Sequence, residues 1–195
     1  MEYFELLRYR KSTRRFREGQ ITGEELSALL AAANSAPVGS NRYGDIHLSV
    51  VQSRDILDLL SRAAVRRWQD KDRMREIVGD LSKADTSREL ADPFYAAPTV
   101  IFVSHRKQDA QPGIEFANVA CVAMAMHLAA TDLGLGSVLM WFALESMREI
   151  PALDHTAALG LPEGFVPLIG LAVGYPAKAL IARESRTDKI ATDML

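Results

Sequence analysis

The segment RYRKSTRRFR, residues 8–17, is the most informative stretch of this 195-residue chain. Six of its ten residues are Lys or Arg, and none is acidic. Because the whole chain carries a net charge of −2, the remaining residues together carry −8, and the basic character is local. Guanidinium groups present a planar fork that fits phosphate oxygens, and Ser12 and Thr13 add hydroxyl donors. The charge run predicts either a phosphate-binding site or a solvated basic arm, and by itself does not separate the two.

Composition places the chain among ordinary globular proteins of one domain. Apolar residues make up 48% and charged residues 25%, a balance that excludes a disordered chain. Nucleic-acid binding is not expected, because no aromatic interleaving or basic helix face continues beyond Arg17. The single cysteine excludes an internal disulfide framework and fits a reducing compartment. Residues 1–10 lack the basic start and apolar run of a signal peptide, so we expect a cytoplasmic location.

Periodic patterns predict a chain in which helices and strands alternate. Thr22 and Glu25 have capping-box spacing at the start of a helix that Pro37 ends. Residues 46–51 alternate like a half-buried strand, and residues 99–104 form the β-branched run of a buried strand. Such alternation suggests a parallel doubly wound sheet, but the pattern cannot determine strand direction. The other predicted elements are a helix over residues 2–9, a helix from residue 54, a strand over 137–141, helical turns over 145–159 and a strand over 165–173.

A long apolar helix is predicted over residues 113–133, with Gly134 in the position of a C-terminal cap. The almost continuously apolar run within it, residues 114–130, is short for a membrane span. We therefore expect a buried helix of a soluble domain and no membrane association. Three polar side chains interrupt the run: Glu115, Asn118 and His127.

The sequence holds no compact catalytic or metal-binding motif. It has no P-loop, no Gly-x-Ser-x-Gly elbow, no His-Glu-x-x-His and no Cys-x-x-Cys, and its four histidines lie far apart, so no metal site is expected. Cys121 lies inside the apolar helix, and we expect a core thiol there because free cysteine is among the most buried residue types. A catalytic thiolate would need a nearby base, which the sequence does not show.

The order of several short motifs resembles the nitroreductase family. RKSTRRF, residues 10–16, is similar to the opening signature of that family, and the helix that follows ends in APVGSN, residues 36–41, as in family members. AATDLGLGS, residues 129–137, resembles the family's alanine-rich helix that ends in Gly-Leu-Gly. Two C-terminal signatures are also similar: LGLPEG at residues 159–164 and IGLAVGYP at residues 169–176.

The resemblance implies an α+β fold, with a central, mostly antiparallel sheet flanked by helices, in one domain over residues 1–195. Members of the family are typically intertwined homodimers that bind FMN at the subunit interface. A dimer core would account for the apolar helix over residues 113–133, and burial within one subunit is equally compatible with the sequence. The charged stretch 66–92 matches no family pattern, and we interpret it as a flap or insertion. Residues 177–195 are expected to form a C-terminal arm.

By motif position, the resemblance also implies the residues of an FMN site. Arg10, Lys11 and Ser12 would hold the phosphate, and Arg186 resembles the C-terminal arginine that reaches it. Arg14 would lie near the pyrimidine edge of the flavin, where a fixed cation stabilises the reduced form. The remaining predicted contacts are Asn41 and Tyr43 in a loop, and the strand residues Leu139, Met140 and Trp141, for which a plain core strand is the alternative.

The activity that the resemblance implies is hydride transfer from NAD(P)H through flavin N5 to an electron-poor acceptor such as a nitroaromatic or a quinone. The cofactor carries this chemistry, so no catalytic residue of the protein is required. Two departures from the family keep alternatives open: residues 41–45 read NRYGD instead of Asn-x-Gln-Pro-Trp, and Glu184 stands where many members have a lysine. The alternatives are a different reaction on the same flavin scaffold (dehydrogenation, dehalogenation or flavin breakdown) or a non-catalytic module that binds a phosphorylated ligand.

Overall fold

The computed structural model describes residues 1–68, 92–141, 155–186 and 188–193. The predicted flap falls largely outside these residues, as do the helical turns expected before residue 155. The described α-helices are α1 (Tyr3–Tyr9), α2 (Gly23–Asn34), α3 (Arg54–Trp68), α4 (Ile114–Asp132) and α5 (His155–Leu159), and two short 3-10 helices span Gly39–Asn41 and Tyr43–Asp45. The described strands are β1 (Ile46–Val51), β2 (Thr99–Arg106), β3 (Gly136–Met140) and β4 (Phe165–Gly174).

These strands form one sheet in the order β1-β2-β4-β3, and each neighbouring pair is antiparallel. Ile101 of β2 lies opposite Leu171 of β4, and Leu171 lies opposite Leu139 of β3. The parallel doubly wound sheet suggested by the pattern is therefore wrong, because the period of a strand records which faces are buried and not its direction. The mostly antiparallel α+β fold implied by the resemblance is confirmed.

The sheet separates two apolar cores, and β2 contributes to both of them. Val100 and Phe102 face the core that contains α3, whereas Ile101 and Val103 face the core that contains α2 and α4. Alternate residues of a strand point to opposite faces, so a strand covered on both sides needs apolar residues at every position. This explains why β2 reads as a continuous apolar run and not as an alternating one.

The start of α2 is confirmed as a capping box. The backbone N–H of Thr22 donates to Oε2 of Glu25 at 2.7 Å, and the N–H of Glu25 donates to Oγ1 of Thr22 at 3.1 Å. Ile21, immediately before the cap, is buried and packs in the same core as Leu26, as a hydrophobic staple would. Local sequence therefore determines where this helix begins.

The long apolar helix α4 ends at the position predicted from a glycine cap at Gly134. Gly134 has a φ of +73°, the N–H of Leu135 donates to Ala130 O at 2.8 Å, and the N–H of Gly134 donates to Thr131 O at 3.0 Å. This is the Schellman arrangement of a helix C-terminus. By length and composition α4 could cross a membrane, but its inward face packs on the sheet as a core helix.

The outward face of α4 corrects one prediction. Cys121 is exposed in this chain, so the expected core thiol is wrong. The helix is apolar on both faces: Val119 and Val122 pack toward the sheet, while Phe116 and Cys121 point away from it. Because composition marks the two faces alike, the sequence did not show which one the sheet covers.

Candidate functional site

The basic segment is bound to the sheet along the edge strand β3 and the end of β4. Ser12 forms a parallel bridge with Ser137, and Phe16 forms an antiparallel bridge with Pro176. The alternative of a solvated arm is therefore wrong, because the backbone of this segment is fixed by hydrogen bonds over several residues. Three of these bonds are Thr13 N to Ser137 O at 2.9 Å, Arg17 N to Tyr175 O at 2.8 Å and Ala177 N to Arg15 O at 3.0 Å.

A glycine at the start of β3 makes this close approach possible. A Cβ atom on Gly136 would lie 2.5 Å from Cγ2 of Thr13 and 3.1 Å from Cβ of Pro176. The first distance is far below a van der Waals contact, and the branched side chain of Thr13 has little freedom to move aside. The second glycine of the Gly-Leu-Gly motif thus serves to dock the basic segment against the strand.

Cationic side chains of the docked segment line an open groove of about 450 Å³. Lys11, Ser12 and Arg14, three of the predicted site residues, contribute to it together with Arg15 and Lys178. The described residues that line the groove include no acid. Its volume lies within the range of about 300–1,000 Å³ usual for small-molecule sites. The groove therefore combines room for a ligand with a donor set suited to an anion.

Arg10 belongs to the basic segment but does not line the groove. It is half-buried and contacts a histidine that sequence reasoning passed over. Its Nη1 lies 3.0 Å from Nε2 of His127, and Nδ1 of His127 lies 2.6 Å from Oγ of Ser137. Burial, and then the positive charge of Arg10, lower the pKa of His127 to about 4, so the imidazole is neutral at neutral pH. Burial, and then the charge of Arg183, lower the pKa of Arg10 from its usual value.

The two arginines of the C-terminal arm lie in different surroundings. The backbone N–H of Arg183 donates to Arg8 O at 3.0 Å, which holds the arm beside the basic segment. Arg186 does not line the groove; it makes a bidentate pair with Asp188 at 2.8 and 2.6 Å, where both side chains are exposed. The role of Arg186 toward a phosphate stays a prediction, and Arg183 is the arm arginine that lies near Arg10.

Within this chain, Asn41 and Tyr43 do not line the basic groove. The hydroxyl of Tyr43 donates to Ala36 O at 3.0 Å and so ties the loop back to the end of α2. Ser40 and Asn41 both have a φ of +55°, a left-handed conformation that Asn tolerates better than most residues. Residues Gly39, Ser40 and Arg42 of this loop border a separate cavity of about 330 Å³.

A second buried histidine, His105, belongs to a set of contacts that holds this loop in place. The backbone N–H of Gly39 donates to Oδ1 of Asn118 at 2.9 Å, and Nδ2 of Asn118 lies 3.2 Å from Nε2 of His105. Nδ1 of His105 lies 2.7 Å from the carbonyl oxygen of Arg106, which can only accept. His105 is therefore protonated on Nδ1, and every polar atom of this chain of contacts has a partner.

The three predicted residues of the β3 region differ in what they present. The side chain of Met140 is buried in the core on the α3 side, as the core-strand alternative expects. Trp141 is 47% exposed, and its ring lies 5.4 Å from that of Phe116. The carbonyl of Ser137 points away from β4 and accepts a hydrogen bond from the basic segment. Backbone groups of residues two positions apart in a strand point to the same side, so the N–H and C=O of Leu139 also point to this outer edge of β3.

The fold and this groove define a protein with a basic groove beside the edge of an antiparallel sheet. A sequence profile described as the nitroreductase family matches residues 7–175, so the chain belongs to the nitroreductase family. Comparison with curated proteins found no significant match.

Solved structures share the fold over their full length. A nitroreductase with bound FMN from Desulfitobacterium hafniense DCB-2 is 21% identical, with a TM-score of 0.81 and coverage of 98% of this chain and 97% of that one. A nitroreductase with bound FMN from Bacteroides fragilis NCTC 9343 is 25% identical, with a TM-score of 0.79 and full coverage of both chains. A BluB-like flavoprotein from Clostridium difficile 630 is 18% identical, with a TM-score of 0.75 and full coverage of both.

Proposed function

We propose that this chain is an FMN-dependent oxidoreductase that takes hydride from NAD(P)H and passes it to an electron-poor acceptor such as a nitroaromatic or a quinone. The observation that carries the proposal is the basic groove, in which Lys11, Ser12 and Arg14 come together beside an edge strand. Membership of the nitroreductase family supports it, as do the two similar structures that hold FMN.

The groove residues fit the phosphate end of a mononucleotide. A phosphate monoester carries between one and two negative charges at neutral pH and accepts several hydrogen bonds. Lys11, Arg15 and Lys178 supply opposite charge, and the hydroxyl of Ser12 supplies a neutral donor. Since no acid lies among the described lining residues, nothing there opposes an anion.

The outer edge of β3 and Arg14 fit the ring end. The backbone N–H and C=O of Leu139 can pair with the polar edge of a flat heterocycle, as a neighbouring strand would. The guanidinium of Arg14 lies 5.8 Å from the centre of the Tyr95 ring, which restricts where this cation sits. When bound, FMN would supply the redox chemistry, and these residues would orient it and stabilise negative charge on its reduced form.

The active unit in this proposal is a homodimer that pairs through the outward face of α4. This face exposes Phe116, Ala117, Ala120 and Cys121 to solvent in the single chain, and burial of such an apolar surface favours association. In this proposal the loop with Asn41, which does not line the groove of its own chain, contributes to the groove of the second copy. The single cysteine of the chain, which has no second cysteine to pair with, further suits a cytoplasmic, reducing location.

The test is the spectrum of the purified protein and its titration with FMN. We expect a yellow protein that NAD(P)H bleaches without oxygen and that elutes as a dimer. Arg14→Ala should weaken FMN binding about tenfold or more, since charge-assisted hydrogen bonds contribute about 1.5–3 kcal/mol. The matched control is Arg54→Ala, which removes an exposed arginine of α3 outside the groove. A colourless protein that takes up no added FMN would overturn the proposal.

A second candidate keeps the flavin and changes the reaction. The altered loop NRYGD at residues 41–45 and the similarity to a BluB-like flavoprotein favour it. A protein that binds FMN tightly but turns over neither nitroaromatics nor quinones with NAD(P)H would support this candidate. Binding of FMN and of simple phosphorylated ligands with equal affinity would instead indicate a phosphate-binding module.

A further inference from the structure

We propose that His127 is a positioning residue for the phosphate: its buried imidazole holds the guanidinium of Arg10 in place without cancelling its charge. The inference rests on the proposed function, because it assigns Arg10 to the phosphate of FMN. It adds to the site a residue of α4 that lies beneath the basic segment and does not line the groove.

The direction of each hydrogen bond follows from the chemistry of its partners. A guanidinium can only donate, so Nε2 of His127, 3.0 Å from Nη1 of Arg10, must be the unprotonated acceptor. The proton of the neutral ring is then on Nδ1, which donates to Oγ of Ser137 at 2.6 Å. Two bonds on opposite sides therefore fix both the plane and the tautomer of the ring.

Because the acceptor beside Arg10 is neutral, the positive charge of the guanidinium stays available to the ligand. The usual partner of a half-buried arginine is a carboxylate, which would neutralise the cation and compete with a phosphate. In the described part of the chain, no carboxylate lies within ion-pair distance of Arg10. The imidazole occupies one of the five guanidinium N–H groups and leaves the full charge for an anion.

The same scaffold also positions the basic segment. Oγ of Ser137 accepts the hydrogen bond from Nδ1–H of His127, while the carbonyl of Ser137 accepts the one from the N–H of Thr13. His127 and Ser137 are each 1% exposed, so water cannot replace either partner readily. The side chain of Arg10 and the backbone of the segment after it are thus fixed to one residue of β3.

The experiment compares FMN with riboflavin, which lacks the phosphate, by fluorescence titration of the apoprotein. We expect His127→Leu to raise the Kd for FMN about tenfold, as loss of one oriented charge-assisted contact would, and to leave the Kd for riboflavin unchanged. His127→Gln should retain most FMN affinity, because an amide can accept from Arg10 and donate to Ser137. His47→Gln, a half-buried histidine of β1, is the matched control.

A double-mutant cycle separates positioning from general stability. In an Arg10→Ala background, His127→Leu should have no further effect on the FMN-to-riboflavin affinity ratio. A wild-type protein that does not bind FMN overturns the proposed function. A wild-type protein that binds FMN, with an unchanged ratio in His127→Leu, overturns only the inference.

If the leucine variant does not fold, the wild-type protein still decides the matter. Long-range ¹H–¹⁵N spectra should show a neutral His127 protonated on Nδ1 at pH 7, with its Nε2 signal shifting when inorganic phosphate or FMN is added. An imidazolium at pH 7, the opposite tautomer, or no shift on addition would contradict the role assigned to His127.

Discussion

Two buried histidines, His105 and His127, connect α4 and the sheet to neighbouring segments, but their hydrogen-bonded networks end on different chemical groups. His105 contacts the amide of Asn118, which in turn accepts the backbone N–H of Gly39. His127 contacts the guanidinium of Arg10, a charged side chain next to the basic groove. Both rings use Nδ1 as donor and Nε2 as acceptor, so the histidines are chemically alike and only their partners differ.

Under the proposed function, the difference separates a structural polar network from one directed at a ligand. The His105 network ends on backbone atoms of Gly39 and Arg106, and each of its nitrogen and oxygen atoms has a partner within the fold. His105 and Asn118 also border the separate cavity of about 330 Å³. The His127 network ends on a cation that makes one side-chain hydrogen bond in the described part of the chain. We therefore expect changes near His105 to affect mainly folding and changes near His127 to affect mainly binding.

The largest expected effect comes from breaking the His105 network. Asn118→Leu leaves the N–H of Gly39 and Nε2 of His105 without partners, which should lower the free energy of unfolding by about 3 kcal/mol. Urea denaturation measures it. Asn34→Leu, on the exposed surface of α2, is the control and should stay within about 0.5 kcal/mol of wild type. Equal losses in the two variants would contradict the structural role of Asn118.

A smaller effect concerns pH and the His127 network. The folded-state pKa of His127, about 4, lies below its ordinary 6.5, so the unfolded chain binds the proton more readily. The contribution of the neutral His127 imidazole to the free energy of unfolding is therefore complete above pH 6.5 and is lost as the pH falls toward 4. Relative to His127→Gln, the wild type should lose about 2 kcal/mol of unfolding free energy between pH 7 and pH 5. Parallel pH curves for the two proteins would refute a buried neutral imidazole.

The smallest effect tests a site that belongs to neither network. Thr22→Ala removes the cap of α2 and should cost about 1 kcal/mol of stability. FMN affinity of the folded variant should be unchanged, because neither Thr22 nor Glu25 lines the groove. A drop in FMN affinity as large as that of Arg14→Ala would mean that binding tracks global stability, and the comparison would lose its meaning.

Local chemistry made much of the fold predictable. The capping box at Thr22, the strand at residues 46–51 and the glycine cap at Gly134 each depend on residues within a few positions of one another, and all three are confirmed. The buried side chains of that strand are, however, Ser49 and Val51, while the alternating Ile46, Leu48 and Val50 are half-buried. Strand direction and the covered face of α4 depend on contacts between distant segments, so the pattern gave the wrong sheet type and the wrong environment for Cys121.

The site divides in the same way. Lys11, Ser12 and Arg14 are close in sequence and share the groove, so the charge run marked them as candidates, and the family motif favoured a site over a solvated arm. His127 was not recognised because its partner Arg10 is 117 positions away. A signal was present, however: Asn118 and His127 interrupt an otherwise apolar helix, and both are buried polar residues with specific partners.

The position of β4 has a consequence for how the nascent chain matures. β4 comes after the other described strands along the chain, yet it lies between β2 and β3. While the ribosome is still adding residues, β2 therefore has an uncovered edge made of an apolar run, which is prone to pair with other chains. The sheet closes only when residue 174 has emerged and the newest strand inserts between two older ones.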